Sequence, residues 1–322
     1  MTRFLTVSLV LGLFAGCSQP RDGVLVMAHG GDAAWNHEVE SIVDPLRQQW
    51  PTEIAFGMAT PSTIEQAIER LESQGVDRVA VVRMFISGES FLEPTEFILG
   101  LRDTVSADPH GMHASTDSAK SCPASTNDAH AKALLASSTP PPSTAHGEPP
   151  SHDGHHMEPP RRIHVPARVL LSRDGLADSP LMDQILVDRV GALSRDPNNE
   201  SVLILGHGPG DDAENQRWLA KMRQRAASVD RLGPFRRVQC ETLREDWPEK
   251  RAAAEERIRR FVEEANHDGG RVIVVPFRVS GFGPYKEVLE GLAYLADGRG
   301  FCPHPNMTRW LQDTAATTLS GS

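Results

Sequence analysis

The sequence predicts an α/β protein made of two similar halves, each built on a parallel sheet. Three observations lead to this prediction. A short apolar run ending in His-Gly occurs twice, at 23–31 and at 201–209. A second apolar run, ending in Ser-Gly, also occurs twice, at 78–88 and at 271–281. Helical patterns separate these runs, so strands and helices alternate, which is typical of parallel sheets with right-handed crossovers.

The first half is predicted to comprise residues 23–103 and 161–198. Short strands are expected at 53–56 and 163–171, in addition to the two repeated runs. Two amphipathic helices connect the strands, because apolar residues recur there at helical spacing. These residues are Val39, Ile42, Val43, Leu46 and Trp50 in one helix, and Ile64, Ala67, Ile68 and Leu71 in the other.

The second half is predicted to comprise residues 199–322. Its strands at 201–206 and 271–277 match those of the first half in type, order and final residues. Such agreement over two segments indicates an internal repeat. A short strand at 300–302 and a closing helix at 307–313 complete this half.

Residues 104–160 are predicted to be a disordered insert between the helix and the last strand of the first half. They contain nine prolines, nine serines and seven of the 13 histidines, but five large apolar residues. Such a segment cannot bury enough surface to offset the entropy lost on ordering. Imidazoles suit transition metals, so the tract is either a metal-gathering segment or a polar spacer. Its histidines are His110, His113, His130, His146, His152, His155 and His156.

Residues 1–17 are predicted to be a bacterial lipoprotein signal. Arg3 precedes an apolar run of 11 residues, which is too short to span a bilayer. Small residues then lead to Cys17, which resembles the cysteine that is acylated in such signals. We therefore expect a lipid anchor in the bacterial cell envelope, or a cytoplasmic protein if the signal is not used.

Composition and motifs exclude several functions. The net charge of −10 argues against a general nucleic-acid binder, which needs a basic surface. The chain lacks the Gly-rich loop sequence of nucleotide-binding proteins, so no nucleotide is expected. Four scattered cysteines are too few for a disulfide framework or a cysteine metal knuckle.

The strongest candidate site residues are His29 and His207. Ligands of open α/β sheets bind beyond the carboxyl ends of the strands, where both histidines are predicted to lie. A histidine there binds a metal ion or accepts a proton near neutral pH. Gly30 and Gly208 follow them and allow a ligand to approach the backbone closely. The alternative is that the histidines merely cap the strand ends by hydrogen bonding.

Three segments of the sequence resemble those of a known family. Val-Leu-Val-Met-Ala-His-Gly at 24–30, Thr-Pro-Ser-Thr-Ile-Glu-Gln-Ala-Ile at 60–68 and Arg-Val-Ala-Val-Val-Arg-Met-Phe-Ile-Ser-Gly at 78–88 look like CbiX-type sirohydrochlorin cobaltochelatases. The resemblance implies two chelatase-like, flavodoxin-like halves facing a central cleft. It also implies insertion of a divalent transition metal (cobalt above nickel or iron) into a tetrapyrrole. The family's first histidine corresponds to His29 and His207.

The chain departs from the family pattern at two places. The second metal histidine of the family is missing, since its position falls near Phe91 in the first half and near Pro284 or Tyr285 in the second. The acidic residue that often follows Ala-Phe is replaced by Gly57-Met58. We expect Glu241 to supply that carboxylate in the second half, and His304 to act as a substitute metal ligand or as an ordinary loop histidine.

Other roles follow from the chemistry of metal insertion. Pyrrole N–H protons must leave, and a histidine, Glu89 or Glu241 is expected to accept them. Sirohydrochlorin is polyanionic, so Arg83 and Arg278 are expected to form a cationic rim, unless they are ordinary surface charges. Two alternatives to a chelatase remain. One is an envelope lipoprotein that binds or delivers metal without catalysis, and the other is a tetrapyrrole-binding protein.

Overall fold

The computed structural model describes residues 20–106, 158–267 and 269–321. The predicted signal segment with Cys17 lies outside the described residues. So do residues 107–157, which are most of the predicted insert and contain its seven histidines.

The first half contains a four-stranded parallel sheet in the order β2-β1-β3-β4. Three helices precede its last strand, and a fourth follows it. The elements are β1 (Asp22–Ala28), α1 (Ala33–Val43), β2 (Thr52–Phe56), α2 (Pro61–Ser73), β3 (Arg78–Arg83), α3 (Leu92–Ile98), β4 (Arg168–Leu171) and α4 (Leu181–Leu193).

The second half repeats this design with a three-stranded parallel sheet in the order β6-β5-β7. The α/β fold with two parallel-sheet halves is therefore confirmed. The elements are β5 (Glu200–Gly206), α5 (Asp212–Ala226), β6 (Arg237–Thr242), α6 (Pro248–His267), β7 (Arg271–Phe277), α7 (Tyr285–Val288) and α8 (Pro305–Ser320).

Both faces of the central strands are buried, which explains why their sequences are continuous apolar runs. Along β1, Val24 and Val26 point into a large core that is shared by the two halves. Leu25 and Met27 alternate with them and point into a separate core beneath α2. The shared core continues through β5 and β7, so the two halves fold as one packed body.

The last helix of each half packs on the other half. Helix α8 lies against β3 and α1, whereas α4 lies against α5 and β7. Both helices place apolar side chains in the shared core, among them Met182 and Ile185 from α4, and Met307 and Trp310 from α8. The boundary predicted at residue 199 marks the start of the second sheet, but the terminal helices are exchanged across it.

Two predicted strands differ from the structure. The fourth strand begins at Arg168, not at 163, and Pro166 just before it has no N–H to donate to a sheet. Residues 300–302 are not a strand, although the N–H groups of Phe301 and Cys302 donate to the chain just after β7. The closing helix is longer than predicted, because α8 runs to Ser320.

Within the described parts of the chain, none of the helices combines the length and the hydropathy needed to cross a bilayer.

The exchanged helix α8 provides a test of the shared core. Trp310 is 3% exposed and belongs to that core. Replacing it with alanine leaves a cavity, so we expect Trp310→Ala to lower the free energy of unfolding by about 3–5 kcal/mol, measured by urea denaturation. The neighbouring Arg309→Ala removes an exposed side chain and is expected to change it by less than about 0.5 kcal/mol. Equal effects of the two variants would contradict this packing.

Candidate active site

The two strand-end histidines lie at matching places. β1 and β5 are the central strands, each hydrogen-bonded to a neighbour on both sides. His29 directly follows the last residue of β1, and His207 directly follows the last residue of β5. Each histidine is therefore at the carboxyl edge of its sheet, where α/β proteins bind ligands.

The loops that carry the histidines have the same backbone shape. Gly30 and Gly208 have φ angles of +82° and +80°, which are in the left-handed region that favours glycine. An aspartate then N-caps the next helix in both halves. Asp32 accepts from the Trp35 N–H at 2.8 Å, and Asp211 accepts from the Glu214 N–H at 2.7 Å.

His29 is exposed, and its ring is oriented by its own loop. Its Nδ1 lies 2.9 Å from the carbonyl oxygen of Gly30. A carbonyl oxygen accepts and does not donate, so in this contact Nδ1 carries the proton and Nε2 carries the lone pair. The ring is also near Trp35, with centroids 6.5 Å apart. This tautomer suits metal binding through Nε2.

His207 lies between two carboxylates. Its Nε2 is 2.9 Å from Asp246 Oδ2, and its Nδ1 is 3.7 Å from Glu245 Oε2. The indole ring of Trp247 meets the imidazole edge-on, with centroids 6.3 Å apart. Two acceptors and an aromatic ring thus surround His207, whereas His29 is oriented by a backbone carbonyl.

A partly buried arginine supports Glu245 from below. Arg278 donates from Nη1 to Glu245 Oε1 and lies over the ring of Tyr285, 5.7 Å from its centroid. Burial opposes ionisation of Glu245, but the charges of His207 and Arg278 outweigh it and lower the pKa of this carboxyl overall. Burial also raises the pKa of Tyr285, which is fully buried.

Two contacts join the carboxyl edge of each sheet to the other half. Ser280, in the loop after β7, donates to Glu38 on α1. Glu89, in the loop after β3, forms a bidentate ion pair with Arg217 on α5, at 2.8 and 2.6 Å. These contacts place the two edges at the junction between the halves. The expectation that both imidazoles open into one cleft stays a prediction.

Comparison with known families matches residues 23–88 to the CbiX family. The matched segment runs from β1 to the loop after β3 and includes His29.

Over these residues the chain matches the CbiX family.

Solved structures extend the likeness of the fold beyond the segment that matches the CbiX family. SirB from Bacillus subtilis, solved with Fe3+, is 14% identical with a TM-score of 0.56, and the match covers 92% of this chain and 95% of SirB. The sirohydrochlorin chelatase SirB from Bacillus subtilis subspecies spizizenii, solved with cobalt, is 13% identical with a TM-score of 0.51, covering 94% and 96%. A comparison with curated protein sequences finds no match.

An aromatic pair lies near the place predicted for the missing second histidine. The ring of Phe91 packs against that of Phe85, with centroids 5.1 Å apart. In the second half, Tyr285 is fully buried beneath the site. Neither position presents an imidazole, so the side chains near the two strand-end histidines differ from the family pattern.

The cationic rim predicted from Arg83 and Arg278 is not present in the form expected. The side chain of Arg83 is buried and donates to the carbonyl oxygens of Gly88, Ser90, Ser172 and Arg173. This burial lowers the pKa of Arg83 to about 10. Arg83 thus holds the loop after β3 in shape, while Arg278 is paired with Glu245. The Arg83 guanidinium can be buried because its N–H groups donate hydrogen bonds to these carbonyl oxygens.

The other predicted site residues have partners elsewhere. Glu241 pairs with Arg257 on α6 at 3.4 Å, and the ion pair of Glu89 with Arg217 lowers the pKa of Glu89. His304 N-caps α8 through Nδ1, and its Nε2 lies 3.0 Å from Asp188. Both nitrogens of His304 therefore have partners, and its Nε2 joins α8 to α4.

Sequence reasoning missed Glu245 and Asp246. They occur in Arg-Glu-Asp-Trp-Pro, between the end of β6 and the start of α6. An acidic pair at a strand end on the ligand-binding edge was the available signal. Even with this pair, the described residues contain no preformed group of three or more His, Cys, Asp or Glu side chains able to hold a metal ion.

The glycine after His207 provides a test of the loop geometry. An alanine at 208 would place its Cβ 2.6 Å from Thr242 Cβ, in addition to the strain of its positive φ. We expect Gly208→Ala to lower the free energy of unfolding by about 2–4 kcal/mol. Gly281→Ala is the matched control, because its φ is +71° and nothing lies within 4 Å, so about 1–2 kcal/mol is expected. Equal losses in chemical denaturation would show that the close approach to Thr242 has no effect.

Proposed function

We propose that this protein is a CbiX-like chelatase that inserts divalent cobalt, nickel or iron into a sirohydrochlorin-type tetrapyrrole. The observation that carries the proposal is the pair of strand-end histidines in matching loops of a chelatase-like fold. The SirB structures, one named as a sirohydrochlorin chelatase and both solved with a metal, support this substrate class.

The chemistry of insertion has two requirements that the site's side chains address. The metal ion, a substrate, must be offered from a weak and open site, so that pyrrole nitrogens can replace the protein ligands. The exposed His29, with its lone pair on Nε2, suits this role. The absence of a closed ligand cage among the described residues is consistent with release of the ion.

The second requirement is the removal of the pyrrole N–H protons. The pair of His207 and Asp246, with Asp246 Oδ2 2.9 Å from His207 Nε2 and the Asp246 side chain 54% exposed, is the best-placed acceptor group. Glu89 and Glu241 are less suited to accept protons, since each is paired with an arginine.

The proposal is tested by mixing the purified protein with sirohydrochlorin and Co²⁺ and following absorbance. We expect insertion above the spontaneous rate. His29→Ala and His207→Ala are each expected to lower the initial rate more than about tenfold, because each removes a group that handles the ion or its displaced protons. His164→Ala is the control, since this exposed histidine lies in the segment before β4.

The alternatives give different results in the same assay. Insertion no faster than the spontaneous rate would overturn the enzyme proposal. Cobalt binding that is lost on deletion of 107–157 but kept in the double histidine variant would favour a metal-binding lipoprotein. Tight binding of sirohydrochlorin without insertion would favour a tetrapyrrole-binding protein.

We also propose that Cys17 is lipidated and anchors the protein in the bacterial cell envelope. The support is the sequence of residues 1–17, with an apolar run followed by small residues before the cysteine. Radiolabelled fatty acid is expected to label the protein in cells, and Cys17→Ser is expected to abolish the label. Equal labelling of the variant, or none of the wild type, would contradict the proposal.

A further inference from the structure

The two halves differ in the side chains that follow β3 and β7. Backbone hydrogen bonds identify equivalent residues there, because Leu176 N donates to Phe85 O and Phe301 N donates to Arg278 O at the same point after β3 and β7. Phe85 and Arg278 therefore occupy corresponding positions in the repeat.

The side chains at these positions have opposite character. In the first half, Phe85 packs on Phe91, and both are apolar. In the second half, Arg278 packs on Tyr285 and pairs with Glu245. The first half thus has two packed aromatic rings here, whereas the second half has a chain of three polar side chains.

This chain leads from the interior to a histidine. Tyr285 is at its base, Arg278 follows, and Glu245 joins Arg278 to the Nδ1 side of His207. The Glu245 side chain is 13% exposed, so little water competes for its oxygens. Among the described residues, the buried Tyr285 hydroxyl has no hydrogen-bond partner of good geometry. A phenylalanine would fill this place without burying an unbonded hydroxyl.

We propose that Arg278 and Tyr285 are positioning residues that hold Glu245 against His207. Their proposed effect is on the orientation of the His207 ring. The two halves then have different tasks: the second presents a histidine fixed by a polar support, and the first presents an exposed histidine oriented by its own loop. The expected effect on turnover rests on the proposed chelatase function, whereas the effect on the His207 ring does not.

The test combines turnover with the NMR signals of the histidine rings in the full chain, labelled with ¹⁵N-histidine. Arg278→Met is expected to lower kcat for cobalt insertion about 10–100-fold, with a smaller change in KM, and to shift the His207 ring signals but not those of His29. Arg278→Lys keeps the charge and is expected to recover part of the rate. Tyr285→Phe is expected to shift the same His207 signals by a smaller amount.

A charge-balanced double variant separates positioning from stability. Arg278→Met alone leaves Glu245 buried without its cationic partner, which is destabilising. Arg278→Met/Glu245→Gln removes both charges, so the melting temperature is expected to recover while kcat and the His207 signals do not. Glu264→Gln, which removes the surface ion pair with Arg237, is the control and is expected to leave rate and signals unchanged.

Three outcomes would overturn the proposal or limit it. Recovery of kcat in the double variant would show that the three residues act through stability. Unchanged His207 signals in Arg278→Met would show that the support does not orient the ring, and unchanged signals in Tyr285→Phe would remove Tyr285 from it. If the wild type inserts no cobalt but the His207 signals shift as expected, the chelatase proposal fails and the positioning proposal holds.

Discussion

Parallel pairing of the two central strands is the constraint on which the rest of the structure depends. β1 and β5 are each hydrogen-bonded on both sides and covered on both faces, so neither strand has an exposed edge or face. A ligand can reach such a strand at its carboxyl end, where the chain turns towards the next helix. His29 and His207 lie at that place, and left-handed glycines follow both.

The internal repeat provides two such carboxyl strand ends, and the side chains around them differ. The loop after β2 in the first half contains Gly57 and Met58, whereas the loop after β6 contains Glu245 and Asp246 next to His207. Phe85 and Phe91 pack together after β3, whereas Arg278 after β7 is paired with Glu245. Each half has a strand-end histidine, and the second half also has a charged support beside it. This difference suits a reaction with two distinct tasks.

Exchange of α4 and α8 keeps the two halves in one arrangement. The shared core runs through both sheets and both exchanged helices, so moving one half would expose apolar surface. Polar contacts follow the same path, since His304 at the start of α8 contacts Asp188 on α4, and Arg189 donates to the carbonyl oxygen of Gly300 at 2.9 Å. The relative position of the carboxyl edges of the two sheets is therefore determined by packing far from the histidines.

The amino-acid sequence by itself determined the fold class, the repeat, the order of the strands along the chain and the position of His29 and His207 at strand ends. These features depend on local periodicity and on short motifs, which act within one strand or helix. Tertiary structure decided which residues meet. It buried Arg83 among carbonyl oxygens, engaged His304 as a helix cap, and brought Glu245 and Arg278 together from separate strand ends. Such contacts join residues far apart in the chain, and they depend on packing, which local patterns do not encode.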